Sequence, residues 1–419
     1  MQPGGRRFDP CTLHLEYRRN RSPVPSQQTG SLCGRDRGSA PPILKSLVGF
    51  SLAPNEVARF DTSAVLMSAP ITVQTLRDEE YDEWERLVAT SPDGSIYATP
   101  EYLDNLCTTG GGRFRILGVR RLERIIGGLP LYEQTSKKGK FVSPRLLLYY
   151  LGPVLSRSAS SYPSQQSAQT IATMGALADA LDTLGFAKIT LRGRHTVSDV
   201  RSFLDRGWTS RPSYSYLVPL QDLRGQWNRV EQNLRRLVDR CAEQNVTHTN
   251  DDDFESFLRL HRLTMNHHDA VPYLPDDSFR RWFGTLHRLG LCRLFHARLP
   301  SGESIAAQIV LLGNHPVSHT VCAAIDPEHR RLGAAAFLRW RTFEWLAGQG
   351  KSGNDLTDAT LNSVTHFKSQ LGGDLVTNFV IETRGNTKWR AASAVGSAYT
   401  GLRHRAAGIA RRIRNSDSK

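Results

Sequence analysis

The sequence predicts an α/β (α+β) chain of two tandem lobes, each a mixed, mainly antiparallel sheet flanked by helices. Three observations predict it. Strand-like alternation and helix-like spacing of three and four interleave from Met67 to Glu382. Two hairpin patterns echo each other, residues 114–120 with 125–131 and residues 292–298 with 305–311, and Arg120 and Arg298 stand 178 residues apart. Finally, 419 residues at 39% hydrophobic suffice for two or three ordinary cores, while no apolar run nears the roughly 18–20 residues of a membrane span.

The elements follow in order. Residues 71–76 alternate like a strand, and Asp78 caps an expected helix with Tyr81, Trp84 and Val88 on one face. Residues 113–120 and 124–132 read as a hairpin, and 146–155 as an apolar strand. Ile171, Met174, Leu177, Leu181 and Leu184 mark an amphipathic helix that Gly185 ends. A strand over 187–191 and a helix over 197–204 complete the first set. The second set opens with a strand over 213–220 and a long polar helix over 223–244. Helices over 254–268 and 279–289 lead to strands over 292–299, 304–312 and 318–325. A helix over 332–347 should bury Ala336, Trp340, Phe343 and Ala347. A strand over 354–356, a helix over 361–371 and a strand over 375–382 end the pattern. The expected boundaries are a poorly ordered extension over 1–66, lobes over 67–215 and 216–385, and a basic tail over 386–419. Small pairs, Gly127 with Gly128 and Ala306 with Ala307, should admit a ligand or another backbone.

The net charge of +14 belongs to the ends. Residues 1–66 hold nine Lys/Arg against five Asp/Glu, and 384–419 nine against one, which leaves +2 for the body. A nearly neutral body argues against a fold built to bind nucleic acid. In the tail, Tyr399, Leu402, Ala406, Ile409 and Ile413 recur at helical spacing among arginines, a pattern suited to an anionic membrane surface. No signal region is visible, so a cytoplasmic chain is expected, with peripheral attachment at the inner membrane face. The six cysteines form no CxxC pair, and the adjacent His267 and His268 would point apart on a helix. No metal is expected.

Three motifs carry chemistry. Arg330, Gly333 and Ala335 follow a strand and open a helix. Free N–H groups at a helix start carry partial positive charge, and glycine lets a ligand come close, so the loop suits a pyrophosphate. It resembles the R/Q-x-x-G-x-G/A loop of GNAT acetyltransferases, which implies acyl-CoA held at Arg330, Gly333, Ala334 and Ala335. The second motif runs Asp355, Leu356, then Phe367 and Lys368, then Gly372 and Gly373. It resembles the FemAB-like proteins over about 67–383. That resemblance implies transfer of an acyl or aminoacyl group onto an amine, with Lys368 as the catalytic residue at the transferred carbonyl and Asp355 and Phe367 at the acceptor. A fixed ammonium suits the oxyanion formed when an amine attacks a thioester or ester. The third motif is an arginine-rich helix in which Arg236 and Arg240 share a face. It resembles the helix that opens the second lobe of the family, and the pair suits a phosphate on a nucleotide-linked or lipid-linked acceptor.

The expected function is therefore an N-acyltransferase that moves an acyl group from acyl-CoA to an amine acceptor of the cell envelope or a polysaccharide. The long coiled-coil arm of the tRNA-dependent relatives has no counterpart in the helix lengths, which argues against charged tRNA as donor. That donor, acting on a peptidoglycan precursor, remains the first alternative. The second is a non-catalytic protein of the same fold that binds membrane or nucleic acid through its tail. Glu382 and Asp355 are candidates for the general base.

Overall fold

A computed structural model describes residues 69–267, 272–361 and 363–393. The extension over 1–66, His268 and Asp269, and the patterned part of the tail beyond 393 lie outside the described residues.

The first half opens with β1 (Ile71–Thr75), α1 (Tyr81–Thr90) and α2 (Pro100–Gly110). Trp84 and Val88 are the buried residues of α1, as their spacing requires. The hairpin of β2 (Arg113–Arg121) and β3 (Arg124–Ser136) follows. After it come β4 (Gly139–Val142), β5 (Val154–Leu155), α3 (Pro163–Thr183), β6 (Lys188–Arg192) and α4 (Arg201–Asp205). The strand expected over 146–155 shrinks to β5. Pro144 and Pro153 have no N–H for a ladder, and Leu147, at φ 68°, turns the chain back so that Arg145 and Leu148 pair.

The second half comprises β7 (Thr209–Pro219), α5 (Leu223–Arg229), α6 (Gln232–Glu243), β8 (Thr247–Asp251), α7 (Phe254–His267) and α8 (Asp276–Arg288). Next are β9 (Cys292–Arg298), β10 (Ser304–Leu311), β11 (Val317–Ile325), α9 (Ala334–Gly348), β12 (Gly353–Asp358), α10 (Ser363–Ser369) and β13 (Asp374–Glu382). The single helix expected over 223–244 is two. Val230 turns extended, with ψ 135°, and is buried at the break. β8 is missed by pattern because its five residues are polar, and its pairing with β9 holds it.

The strands form a single sheet in the order β1-β2-β3-β4-β6-β13-β7-β12-β11-β10-β9-β8, with β5 on β3. The last strand is thus inserted between the halves, paired to β6 on one side and along nine residues of β7 on the other. The small pairs admit protein. A Cβ on Gly128 would meet the Trp84 ring at 2.5 Å, and Ala306 and Ala307 face Ile325 and Ala324 of β11. One core crosses the junction, where the Tyr102 ring meets Trp282 edge-on and Asn105 Nδ2 donates to the Trp282 carbonyl at 2.9 Å. A second core lies between α6, α9 and the second half of the sheet. After β13, Trp389 packs on Phe141 and Ala187 of the first half.

Candidate active site

β11 and β12 run parallel, but their pairing stops at His319 and Asp355. Past that point the register of β12 against β7 slips between Asp355 and Asp358. Thr357, inside this bulge, adopts φ 55°. A β-branched residue rarely enters that region, and such strain costs about 1–3 kcal/mol. Local bonds hold it. Thr357 Oγ1 donates to the Thr320 carbonyl at 3.2 Å, and the Thr357 N–H donates to Asp355 Oδ1 at 2.7 Å.

Lys368 reaches the bulge from α10. Its Nζ donates to the Asp358 carbonyl at 2.6 Å and to the Thr357 carbonyl at 3.3 Å. Burial first, then the nearby Arg339 charge, push the ammonium down to about 8. At neutral pH it is mostly charged, fixed by two carbonyls where β11 and β12 part. A cation so placed can stabilise an oxyanion.

Asp355 is fully buried beside it. Tyr150 donates its hydroxyl to Oδ2 at 2.6 Å, and Ser215 donates to Oδ1. Burial alone would raise this carboxyl; His319, the two hydroxyls and Arg194 outweigh it and hold it below the usual range. His319 is itself pushed by burial down to about 3, so it faces the carboxylate uncharged, Nδ1 at 3.8 Å from Oδ2. With His319 neutral, the Ser215 and Tyr150 hydroxyls and the Arg194 charge are left to keep Asp355 ionised. Asp355 was expected at the acceptor. Its oxygens are taken by Tyr150 of the first half, Ser215 of β7 and Thr357 of β12, so it positions the bulge and has no oxygen free for a substrate.

The cofactor loop is a 3-10 turn over Pro327–Leu332, capped by Asp326, whose Oδ1 accepts the Glu328 N–H at 3.0 Å. Gly333 then starts α9 at φ 93°. A Cβ there would stand 2.5 Å from the Leu237 Cβ, so α6 packs directly on the loop. The Ala336 N–H returns to the Gly333 carbonyl at 2.9 Å. The Ala334 and Ala335 N–H groups precede any intrahelical acceptor. Arg330 is exposed beside them. The Ala334 and Ala335 amides and the Arg330 cation suit a pyrophosphate, whereas the close approach expected at Gly333 is taken by Leu237 of α6 and not by a ligand.

Arg236 and Arg240, exposed on α6, were placed on the acceptor side by sequence. Arg240 Nη1 instead donates to the Arg331 carbonyl at 3.4 Å, which puts it beside the cofactor loop. Phe367 packs against the second core. Glu382 pairs with Lys188 at 3.1 Å and lies opposite Thr209, far along β13 from Val376, the partner of Ser215. That separation removes it as a base.

A cavity of about 440 Å³ opens elsewhere, beside the start of α3, among Asp93, Arg157, Gln166, Gln169 and Thr196. No expected site residue lines it. The candidate site rests on the strained backbone and the fixed cation at Lys368 rather than on cavity size. Among the described residues no group of three or more His, Cys, Asp or Glu could hold a metal, and no helix is long and apolar enough to cross a membrane.

Ser215, His319, Arg339 and Thr357 were missed by sequence. For Arg339 a signal existed. It falls three residues after Ala336 and four before Phe343, on the buried stripe of its helix.

Residues 226–369 match the family model described as an acetyltransferase (GNAT) domain. That stretch runs from α5 through the loop at Gly333 to Lys368. Among solved structures, FemX aligns with a TM-score of 0.60 and 13% identity, covering 74% of this chain and 96% of its own. A tandem GNAT protein from the clavulanic acid biosynthesis pathway aligns at 0.43 and 12%, covering 75% and 98%. The C-terminal domain of a putative lysylphosphatidylglycerol synthetase from Agrobacterium fabrum aligns at 0.47 and 12%, covering 75% and 95%. Of these, FemX carries the argument for a shared fold. No curated protein matches the chain. The acetyltransferase (GNAT) domain match thus lies on the half that holds the loop and the lysine, and the fold shared with FemX spans both halves.

Proposed function

We propose that this protein is an N-acyltransferase that moves an acyl group from acyl-CoA to an amine of a cell-envelope or polysaccharide precursor. The observation that carries the reading is Lys368, held by the Thr357 and Asp358 carbonyls where β11 and β12 part, in the half that also carries the loop at Gly333. Arg330 and the Ala334 and Ala335 amides would take the pyrophosphate, with Arg240 close by. The amine nitrogen attacks the thioester carbonyl carbon, and negative charge builds on the carbonyl oxygen facing Lys368. The carbon–sulfur bond then breaks, the nitrogen gives up a proton to water, and the departing thiolate takes one up. Asp355, buried and accepting from Tyr150, Ser215 and the Thr357 amide, is not placed to take that proton.

The acceptor class and the cytoplasmic location with peripheral membrane attachment stand as parts of the same proposal. The test is release of free thiol from acetyl-CoA with a panel of amino sugars and amine-bearing peptides, for wild type and Lys368→Met. Turnover that Lys368→Met cuts about 100-fold or more supports the reading. No binding of acetyl-CoA at millimolar concentration sinks the acyl-CoA donor, and charged tRNA becomes the donor to try.

A further inference from the structure

Arg339 is a buried cation without a counter-charge. It lies on α9, 7% exposed, and among the described residues no carboxylate stands within ion-pairing distance. Its Nη1 is enclosed and has no hydrogen-bond partner. Its surroundings are those of the candidate site. Tyr273, the Cys322 thiol and Lys368 lie within electrostatic reach of it, and its charge helps depress Lys368. Burial lowers the guanidinium only to about 10, so it stays charged at neutral pH. The acids that share the site are committed elsewhere. Asp355 is held by Tyr150, Ser215 and Thr357, and Asp358 accepts the Thr360 hydroxyl at 2.9 Å.

A buried, unpaired charge is among the most destabilising groups a core can hold. Apolar neighbours Ala336, Trp340 and Phe343 share its stripe, so an apolar side chain would suit position 339 for packing alone. A guanidinium there makes sense when an anion arrives from outside, and its fork fits a carboxylate with two parallel hydrogen bonds. The position says which anion. Arg339 is six residues past Gly333, about 9 Å along the helix from the cofactor loop. On the acyl-transfer reading the CoA phosphates go to the loop, while Arg339 is close enough to Lys368 for its charge to depress that ammonium.

We propose that Arg339 is a specificity residue that receives a carboxylate carried by the substrate beside the reacting carbonyl. The inference rests on the acyl-transfer reading, and the carboxylate belongs either to the acyl group or to the amine-bearing acceptor. Two pairs of probes separate these sources on the full chain. Titration with succinyl-CoA and acetyl-CoA tests the donor. Thermal shift with glycylglycine and glycylglycine amide tests the acceptor.

A donor carboxylate predicts that succinyl-CoA binds at least 10-fold more tightly than acetyl-CoA, a preference that Arg339→Leu abolishes. An acceptor carboxylate predicts equal binding of the two thioesters, with the melting temperature raised by glycylglycine but not its amide, again only with Arg339 present. In either case Arg339→Leu without ligand melts at or above wild type. Arg339→Lys keeps the charge but loses the fork, and is expected to lose much of the discrimination while staying folded. The proposal is overturned if Arg339→Leu melts several degrees lower, or if neither pair distinguishes wild type from the variant. Should neither thioester bind, the acyl-CoA donor falls while the glycylglycine pair still decides the role of Arg339.

Discussion

Replacing Gly333 with alanine tests whether the cofactor loop is built against α6. The residue sits at φ 93°, where an L side chain costs about 1–2 kcal/mol. Its new Cβ would stand 2.5 Å from Leu237 Cβ, 3.0 Å from Cδ2 and 3.1 Å from Cγ. Carbon atoms prefer about 3.5–4.0 Å, so α6 or the start of α9 must move by roughly 1 Å. Overpacking of that kind costs about 1–3 kcal/mol. Together the two effects predict a loss of about 2–5 kcal/mol in urea unfolding. A double-mutant cycle separates them. Leu237→Gly removes the Cβ and the rest of the side chain that clashes but leaves the backbone strain at position 333, so the pair should show a favourable coupling of about 1–3 kcal/mol. Acetyl-CoA affinity should fall in the single variant even where it is folded, because the amides of Ala334 and Ala335 move with the loop. Gly333→Ala within about 0.5 kcal/mol of wild type would refute the packing argument, and zero coupling with Leu237→Gly would show that the clash is relieved somewhere else.

Lys368 should impose a pH signature. Its ammonium, held at about 8, is lost as pH rises through that value, so wild-type turnover should decline there relative to Lys368→Arg, which keeps its charge. Asp355→Ala strands the Tyr150 and Ser215 hydroxyls and the Thr357 amide, and unfolding measurements should show a loss of about 3–5 kcal/mol. The folded Asp355 carboxyl lies below its usual value, so its contribution is complete above about pH 4 and disappears as pH falls through the folded value. Acid unfolding curves of wild type should therefore steepen below pH 4 compared with those of Asp355→Asn. Trp389→Ala removes a ring buried against Phe141 and approached by Lys138 at 5.3 Å, and should lower stability by about 3 kcal/mol while leaving CoA binding intact.

How far the sequence could be read depended on whether a residue's role was local. The α1 face of Trp84 and Val88, the hairpins and the loop at Gly333 follow from spacing and were legible. Lys368 was legible only through family resemblance, because nothing in its neighbourhood in sequence distinguishes it from a solvated helix lysine. The Asp355 hub was not legible. It joins Tyr150, Ser215 and Thr357, residues up to 205 positions apart, through a bulge that no local pattern announces. The strand expected over 146–155 failed because an apolar run says nothing of Leu147 at φ 68°. The helix break at Val230 failed for a related reason, since a helical sequence gave way to burial of one side chain.

The place of β13 has a consequence for biosynthesis. Translation delivers β6 and β7 early, yet they become neighbours of a common strand only after Glu382 has left the ribosome. Until then each presents an unpaired edge, the kind that seeks other chains. A nascent chain halted before residue 374 would hold most of both halves, with Tyr150 and Ser215 made but the seam between β6 and β7 open. The growing chain therefore has a long interval in which aggregation competes with closure. C-terminal truncations should accordingly fail first in yield of soluble protein, even those that spare every residue of the candidate site.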